Sequence, residues 1–105
     1  MQKSVLENFT MSSGVCRLGS LSSGHDKFPP RPVISGSDNV FINGLPATNV
    51  GSTWAIHCDD NSCHSCNQAT GSSTVFVNSR QLVRVGDATG CNDYVASGSD
   101  NVFCG

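Results

Sequence analysis

Charged side chains are scarce in this chain of 105 residues: 13% are Asp, Glu, Lys or Arg, and the formal net charge is −2. No basic run is present, so we do not expect nucleic acid as a partner. No stretch approaches the roughly 18 apolar residues of a membrane-spanning helix. Residues 1–10 contain a lysine but no apolar segment, which argues against a secretory signal peptide.

Helical periodicity is also missing, because residues 14–105 show no apolar repeat of 3.6 residues. Only 37% of residues are hydrophobic and 11 are glycine, a composition that argues against a helical bundle. Short β-branched and aromatic runs at 40–42 and 75–77 are typical of strands. Asn43 and Gly44 follow the first run and predict a hairpin turn. The sequence therefore predicts one small all-β domain.

The most informative feature is a threefold repeat. The run GSDNVF at 36–41 returns at 98–103, and a close copy, GSSTVF, occupies 71–76. A second phrase precedes each copy: RLGS at 17–20, NVGS at 49–52 and RVGD at 84–87. Three paired phrases predict three copies of one β-hairpin unit around a pseudo-threefold axis. We assign this domain to residues 15–105 and regard residues 1–14 as an N-terminal arm.

The repeat makes Phe41, Phe76 and Phe103 equivalent. Such a set could pack in the core or face a partner. We expect the core, since a domain this small needs its large apolar side chains for packing.

Six cysteines are an even number, so disulfides are possible, and Cys16 and Cys104 could pair across the two ends of the repeats. Without a signal peptide, metal binding or reduced thiols are the better expectation.

Metal-binding side chains occupy matched positions in the repeats. His25 lies eight residues after Arg17, His57 eight after Asn49, and Cys91 seven after Arg84. Pseudo-symmetry would bring His25, His57 and Cys91 together on the axis, and structural zinc takes four such ligands. His64 is our choice for the fourth. Its competitors in the same loop are Cys58, Cys63 and Cys66.

Three other interpretations compete with this site. Cys58, Cys63 and Cys66 could build a zinc knuckle of their own, as in a zinc-ribbon-like binding module, although the spacing matches weakly; Trp54 beside them would then be a contact residue. The spare thiols of this loop could instead form a disulfide. A small zinc hydrolase would find an acid or base among Asp26, Asp59 and Asp60, but the chain has no HExxH motif and no nucleophile elbow.

These residues resemble the PAAR-repeat proteins, the conical spike tips of type VI secretion systems and contractile phage tails. The resemblance covers residues 15–105 and rests on NGLPATNVG at 43–51, RVGD at 84–87 and the Gly-Ser-x-x-Val-Phe strands. The chain departs from the family pattern where it reads PATN at 46–49 and QLVR at 81–84, and where Ser20 and Ser52 replace an aspartate.

The resemblance implies a structural, non-enzymatic role. It implies one structural zinc ion near the apex, held on the matching positions by His25, His57, His64 and Cys91; iron also suits such a donor set. It implies a trimeric β-helical spike protein as partner, one tip per trimer, with effector proteins and a pierced target membrane as further contacts. Such a tip is assembled in the cytoplasm without a signal peptide and then carried outward on a secretion spike or a phage tail.

Overall fold

The structure, a computed structural model, describes residues 13–105. These residues form eight strands of two residues each: β1 Ser13–Gly14, β2 Phe41–Ile42, β3 Leu45–Pro46, β4 His57–Cys58, β5 Cys63–His64, β6 Phe76–Val77, β7 Arg80–Gln81 and β8 Phe103–Cys104. The strands pair antiparallel as β1–β8, β2–β3, β4–β5 and β6–β7. Residues 13–105 contain no helix, so this part of the chain has no helix that is long and apolar enough to cross a membrane. The predicted all-β fold of short hairpins is confirmed.

Three of the four hairpins are equivalent. Asn43 and Gly44 close β2–β3, and Asn78 and Ser79 close β6–β7, all four with positive φ as the tight turns require. The two ends of the chain make the third hairpin, β8–β1. Of the predicted arm, residues 1–14, only Ser13 and Gly14 lie among the described residues, and they form β1. The registers match: Phe41 faces Pro46, Phe76 faces Gln81 and Phe103 faces Gly14.

A closed ring of backbone hydrogen bonds marks the pseudo-threefold axis. Cys16 N–H donates to Val83 O at 2.8 Å, Val83 N–H to Thr48 O at 3.0 Å, and Thr48 N–H to Cys16 O at 3.1 Å. All three residues are completely buried. Each repeat therefore satisfies the backbone of the next, which binds three short segments into one unit.

The Gly-Ser phrase has a specific task in each repeat. Ser37 Oγ accepts the N–H of Val40 at 2.9 Å, and Ser37 N–H donates to Ala47 O at 2.8 Å. A Cβ on Gly36 would lie only 2.8 Å from that same oxygen, so no larger residue fits without a shift. The other two copies repeat these contacts, with Gly71 and Ser72 against Leu82, and Gly98 and Ser99 against Val15.

Two apolar clusters lie along the axis. One cluster belongs to the three equivalent hairpins, and we call this region the hairpin end. The buried members of the cluster are Val15, Ala47, Val77 and Leu82. The other cluster supports β4–β5 and the loops that carry His25 and Cys91, and we call this region the loop end. The buried members of this cluster are Cys16, Val33, Trp54, Val83 and Val95. Trp54 is a core residue rather than a surface contact, and its Nε1–H donates to Gln68 Oε1 at 2.9 Å.

The expectation that Phe41, Phe76 and Phe103 fill the core is wrong. Each is 55% exposed. The side chains of a strand alternate between its two faces, and the valine before each phenylalanine takes the inward position. These valines, Val40, Val75 and Val102, pack against the hairpin-end cluster. The three phenylalanines therefore form an equivalent set on the outside of the hairpin end.

The cysteines also depart from expectation. Cys58 is joined to Cys63 and Cys66 to Cys91 by disulfides, whereas Cys16 and Cys104 are free. The suggested Cys16–Cys104 pair is therefore wrong: Cys16 belongs to one apolar cluster of the core, whereas Cys104 packs against the other. Burial raises the pKa of both free thiols, which keeps them protonated and unreactive.

Candidate metal centre

The β4–β5 hairpin carries two of the predicted ligands. His57 and His64 are directly opposed across the strand pair, and Cys58 and Cys63 form the next pair. Opposed residues present their side chains on the same face, and the two imidazole Nε2 atoms lie 2.8 Å apart. The loop between the strands is held by Asp59, whose Oδ1 accepts the N–H groups of Asn61 and Ser62, both at 2.8 Å. These hydrogen bonds lower the pKa of Asp59.

The third histidine comes from the loop of the first repeat. His25 and Phe28 exchange two backbone hydrogen bonds, of 3.0 and 2.7 Å, across a tight turn in which Asp26 has a φ of 50°. This turn directs the His25 ring towards β5, where its Nε2 lies 3.1 Å from His64 Nε2.

The sulfur donor comes from the third repeat. Cys91 lies in the loop between Thr89 and Asp93, and its N–H donates to Thr89 Oγ1 at 3.3 Å. The donor atoms of the four predicted residues, His25, His57, His64 and Cys91, all lie within 4.8 Å of one another. The structure thus brings together the complete predicted set. The competitors for the fourth place, Cys58, Cys63 and Cys66, do not belong to this group.

The histidine tautomers suit a metal ion. His57 Nδ1 lies 2.7 Å from Pro29 O, and a carbonyl oxygen can only accept. Nδ1 must therefore carry the proton, which leaves a lone pair on Nε2 directed towards the other two rings. Partial burial, followed by the charges of His57 and His25, lowers the pKa of His64 and favours its neutral form.

The spacing of the donors also fits. Ligand atoms that share one tetrahedral zinc ion at about 2.0–2.3 Å lie about 3.3–3.8 Å from one another. The two nitrogen–nitrogen distances of 2.8 and 3.1 Å fall just below that range, and the whole group spans 4.8 Å. Small side-chain rotations would place all four atoms around one ion. This group could hold a metal ion.

A comparison with known families shows the family of this chain. Residues 23–97 match the family model described as the PAAR motif. The chain belongs to the PAAR motif family. No curated protein sequence matches the chain significantly. The matched residues include all four donors of the candidate site, so the resemblance predicted from the repeated phrases is confirmed.

In this PAAR protein a buried ion pair lies beside the sulfur donor, and sequence reasoning missed it. Arg31 is only 2% exposed, and its Nη2 lies 2.9 Å from Cys91 Sγ, 3.0 Å from Cys66 Sγ and 3.3 Å from Asp93 Oδ1. Burial would raise the pKa of Asp93, but hydrogen bonds from Thr89 and Ser22 and the charge of Arg31 outweigh it and lower the pKa. The guanidinium therefore stays paired and can stabilise an anionic sulfur.

Phe28 is a second residue that sequence reasoning missed. Its ring centroid lies 4.3–5.0 Å from the centroids of His25, His57 and His64. The aromatic ring limits the rotation of all three imidazoles and shields one side of the site from water. The signal available for Phe28 and Arg31 was their position in FPPRP at 28–32, a stiff run that starts three residues after the first histidine.

Proposed function

We propose that this protein is the apical tip of a contractile injection machine, either a type VI secretion spike or a phage tail, and that it caps a trimeric β-helical spike protein. The observation that carries the proposal is the set of three equivalent, half-exposed phenylalanines at the hairpin end. Exposed apolar surface marks a contact site where it forms a patch, and here the same aromatic side chain is exposed at three equivalent positions. We infer that Phe41, Phe76 and Phe103 contact the three identical subunits of the spike.

The threefold repeat gives a physical reason for this match. A trimer ends in three identical patches, and an asymmetric monomer could meet only one of them well. Here the three hairpins share one register and one exposed aromatic position. One chain can therefore make the same contact three times, which gives one tip per trimer and covers strand ends that would otherwise be open to aggregation.

The metal centre suits the opposite end of such a tip. The donors come from separate loops and lie outside the loop-end cluster, so a metal ion would tie these loops together where apolar packing does not. Structural zinc contributes on the order of 10 kcal/mol to the folding of small domains. We propose one structural zinc ion on His25, His57, His64 and Cys91; iron is a second candidate for the same three nitrogens and one sulfur.

The proposed role is mechanical rather than catalytic. Four protein donors would leave zinc without the open position that a hydrolase needs for water. Asp59, one of the candidate acids, is occupied by the backbone of its own loop. A zinc-ribbon-like module confined to residues 57–66 is not favoured either, because the donor group also draws on the loops of His25 and Cys91.

The proposal also covers where the protein is assembled and how it is delivered. The tip would be assembled in the cytoplasm, carried outward on the spike or the tail, and pushed through the target membrane by a stiff, metal-bound apex. Effector proteins would travel attached to it.

A binding experiment with a trimeric β-helical spike protein of a contractile injection system from the same genome tests the proposal. We expect one tip per trimer by light scattering. Since buried interface aromatics contribute about 2 kcal/mol each, Phe76→Ser should weaken binding about 30-fold, and the triple change at Phe41, Phe76 and Phe103 should abolish it. Tyr94→Ser, at an equally exposed aromatic of the third-repeat loop, is the matched control and should bind normally. Full binding by the triple variant would contradict the proposal.

A further inference from the structure

Cys91 Sγ takes part in two arrangements that exclude each other. It belongs to the donor group with His25, His57 and His64, and it is also bonded to Cys66. Metal ions bind the thiolate form of cysteine, and a sulfur in a disulfide carries no such charge. The metal and the disulfide therefore compete for one atom.

The residues around Cys66 and Cys91 suit both the disulfide and the free thiolate of Cys91. The Cα atoms of Cys66 and Cys91 lie 6.1 Å apart, within the range that a disulfide spans without backbone movement. Arg31 Nη2 reaches both sulfur atoms at similar distances, 3.0 and 2.9 Å, and can stabilise either one as a thiolate. Both cysteines are partly exposed, so a small-molecule oxidant can reach them.

We propose that Cys66 and Cys91 form a redox switch that controls whether the site holds its metal ion. In the reduced state the Cys91 thiolate completes the site and Cys66 is a free thiol. A disulfide of the glutathione class oxidises the pair. The Cys66 sulfur attacks this disulfide and gives a mixed disulfide and one thiolate; the Cys91 sulfur then leaves the metal, attacks Cys66 Sγ and displaces the second thiolate. The two electrons reduce the oxidant to two thiolates, of which one takes the Cys66 proton and the other takes a proton from water, and the metal ion is released from a site that now has three histidines.

The second disulfide of the loop end provides an internal contrast. Cys58 and Cys63 are also adjacent, but neither belongs to the donor group. Their oxidation removes no ligand, and it ties together the two strands that hold His57 opposite His64. Two disulfides only a few residues apart should therefore have opposite effects on metal binding.

The switch rests on the metal site of the proposed function, and it adds a condition to it. A tip assembled in a reducing compartment would bind its metal there, and delivery into an oxidising compartment would form the Cys66–Cys91 bond. Loss of the metal would then loosen the loop end only after delivery.

The experiment begins with the full chain, reduced and loaded with zinc. Oxidised glutathione is added under anaerobic conditions, a chromogenic chelator reports free zinc, and mass spectrometry of alkylated peptides reports the disulfides. We expect release of about one zinc ion per chain, in step with the Cys66–Cys91 bond and reversed by a reductant. Cys66→Ser keeps all four donors and should retain its zinc. The double variant Cys58→Ser, Cys63→Ser is the matched control and should release zinc at least as readily as the unmodified chain does.

The outcomes separate the two proposals. If the reduced chain takes up no zinc, the proposed zinc site fails. If zinc binds but stays bound while the Cys66–Cys91 bond forms, or if Cys66→Ser releases zinc as fast as the unmodified chain, the switch is wrong and the zinc site stands. One measurement needs no variant: saturating zinc should slow formation of the Cys66–Cys91 bond, and an unchanged rate would overturn the switch.

Discussion

The two ends of this molecule are stabilised in different ways. At the hairpin end, three nearly identical segments exchange backbone hydrogen bonds around an axis, and repeated glycine and serine residues allow their close approach. At the loop end the repeats diverge, and side chains from three different loops meet: three imidazoles, two sulfurs and a buried ion pair. Repeated sequence therefore builds the scaffold, whereas the residues that break the repeat build the site.

Removal of the metal should have the largest effect, and it should act on the loop end alone. With zinc bound, we expect the free energy of unfolding to fall by several kcal/mol on chelation, out of the order of 10 kcal/mol that structural zinc can contribute. Hydrogen exchange should rise at the loop end, at His25, His57 and Cys91. The equivalent amides of Val15, Ala47 and Leu82 in the hairpin-end cluster should stay protected, because each donates to a backbone oxygen of its own hairpin and none depends on a metal ligand.

His57→Ala provides the matching variant, since His57 is 3% exposed and its ring is fixed by Pro29. It should reproduce the effect of chelation and make the chain insensitive to added zinc. If these hairpin-end amides exchange as fast as the loop amides in either experiment, the two ends unfold as one unit and the distinction between them is wrong.

Substitutions in the Gly-Ser phrase should produce the next largest effect, at the opposite end. Gly36→Ala, Gly71→Ala and Gly98→Ala each place a Cβ within 2.8–2.9 Å of a backbone oxygen. Overpacking of this kind costs about 1–3 kcal/mol, and the three variants should lose similar amounts in urea denaturation because the contacts are equivalent. Gly19→Ala is the control: its Cβ meets nothing within 4 Å, so only its left-handed backbone is strained. Unequal losses among the three would show that the pseudo-symmetry does not extend to energetics.

The difference between repeated and non-repeated residues also decides which features the sequence could predict. The repeated phrases predicted the hairpins, the pseudo-threefold arrangement and the matched positions of His25, His57 and Cys91, because equivalent residues must occupy equivalent places around an axis. His64 was predicted because a zinc site needs a fourth ligand. Its position opposite His57 in β4–β5 now explains the choice.

The residues that were missed or misplaced depend on contacts outside the repeat. Arg31 has no counterpart in the other repeats, and its partners Cys66 and Asp93 come from distant loops. The outward orientation of Phe41 depends on which of two adjacent apolar residues faces the core, and composition alone does not decide between Val40 and Phe41.

The smallest expected effect concerns a difference between the repeats themselves, at the positions of Ser20 and Asp87. Ser20 and Asp87 occupy equivalent positions, and each accepts the N–H of the residue three before it, at 3.1 Å from Arg17 and 2.8 Å from Arg84. Only Asp87 adds an ion pair, with its Oδ1 2.9 Å from Arg84 Nη2. Ser20→Asp should therefore keep the backbone contact and give Arg17 the same carboxylate partner. We expect a gain of up to about 1 kcal/mol in urea denaturation, and the gain should shrink at high salt.

Ser52→Asp separates the two contributions to that gain. Ser52 makes the same backbone contact, at 3.2 Å, but to Asn49, which has no charge. The carboxylate there would bring a stronger backbone acceptor and no ion pair. If Ser52→Asp stabilises the chain as much as Ser20→Asp, the backbone hydrogen bond accounts for the effect. If only Ser20→Asp stabilises it, the ion pair does, and Asp87 is retained in the third repeat because Arg84 lies beside it.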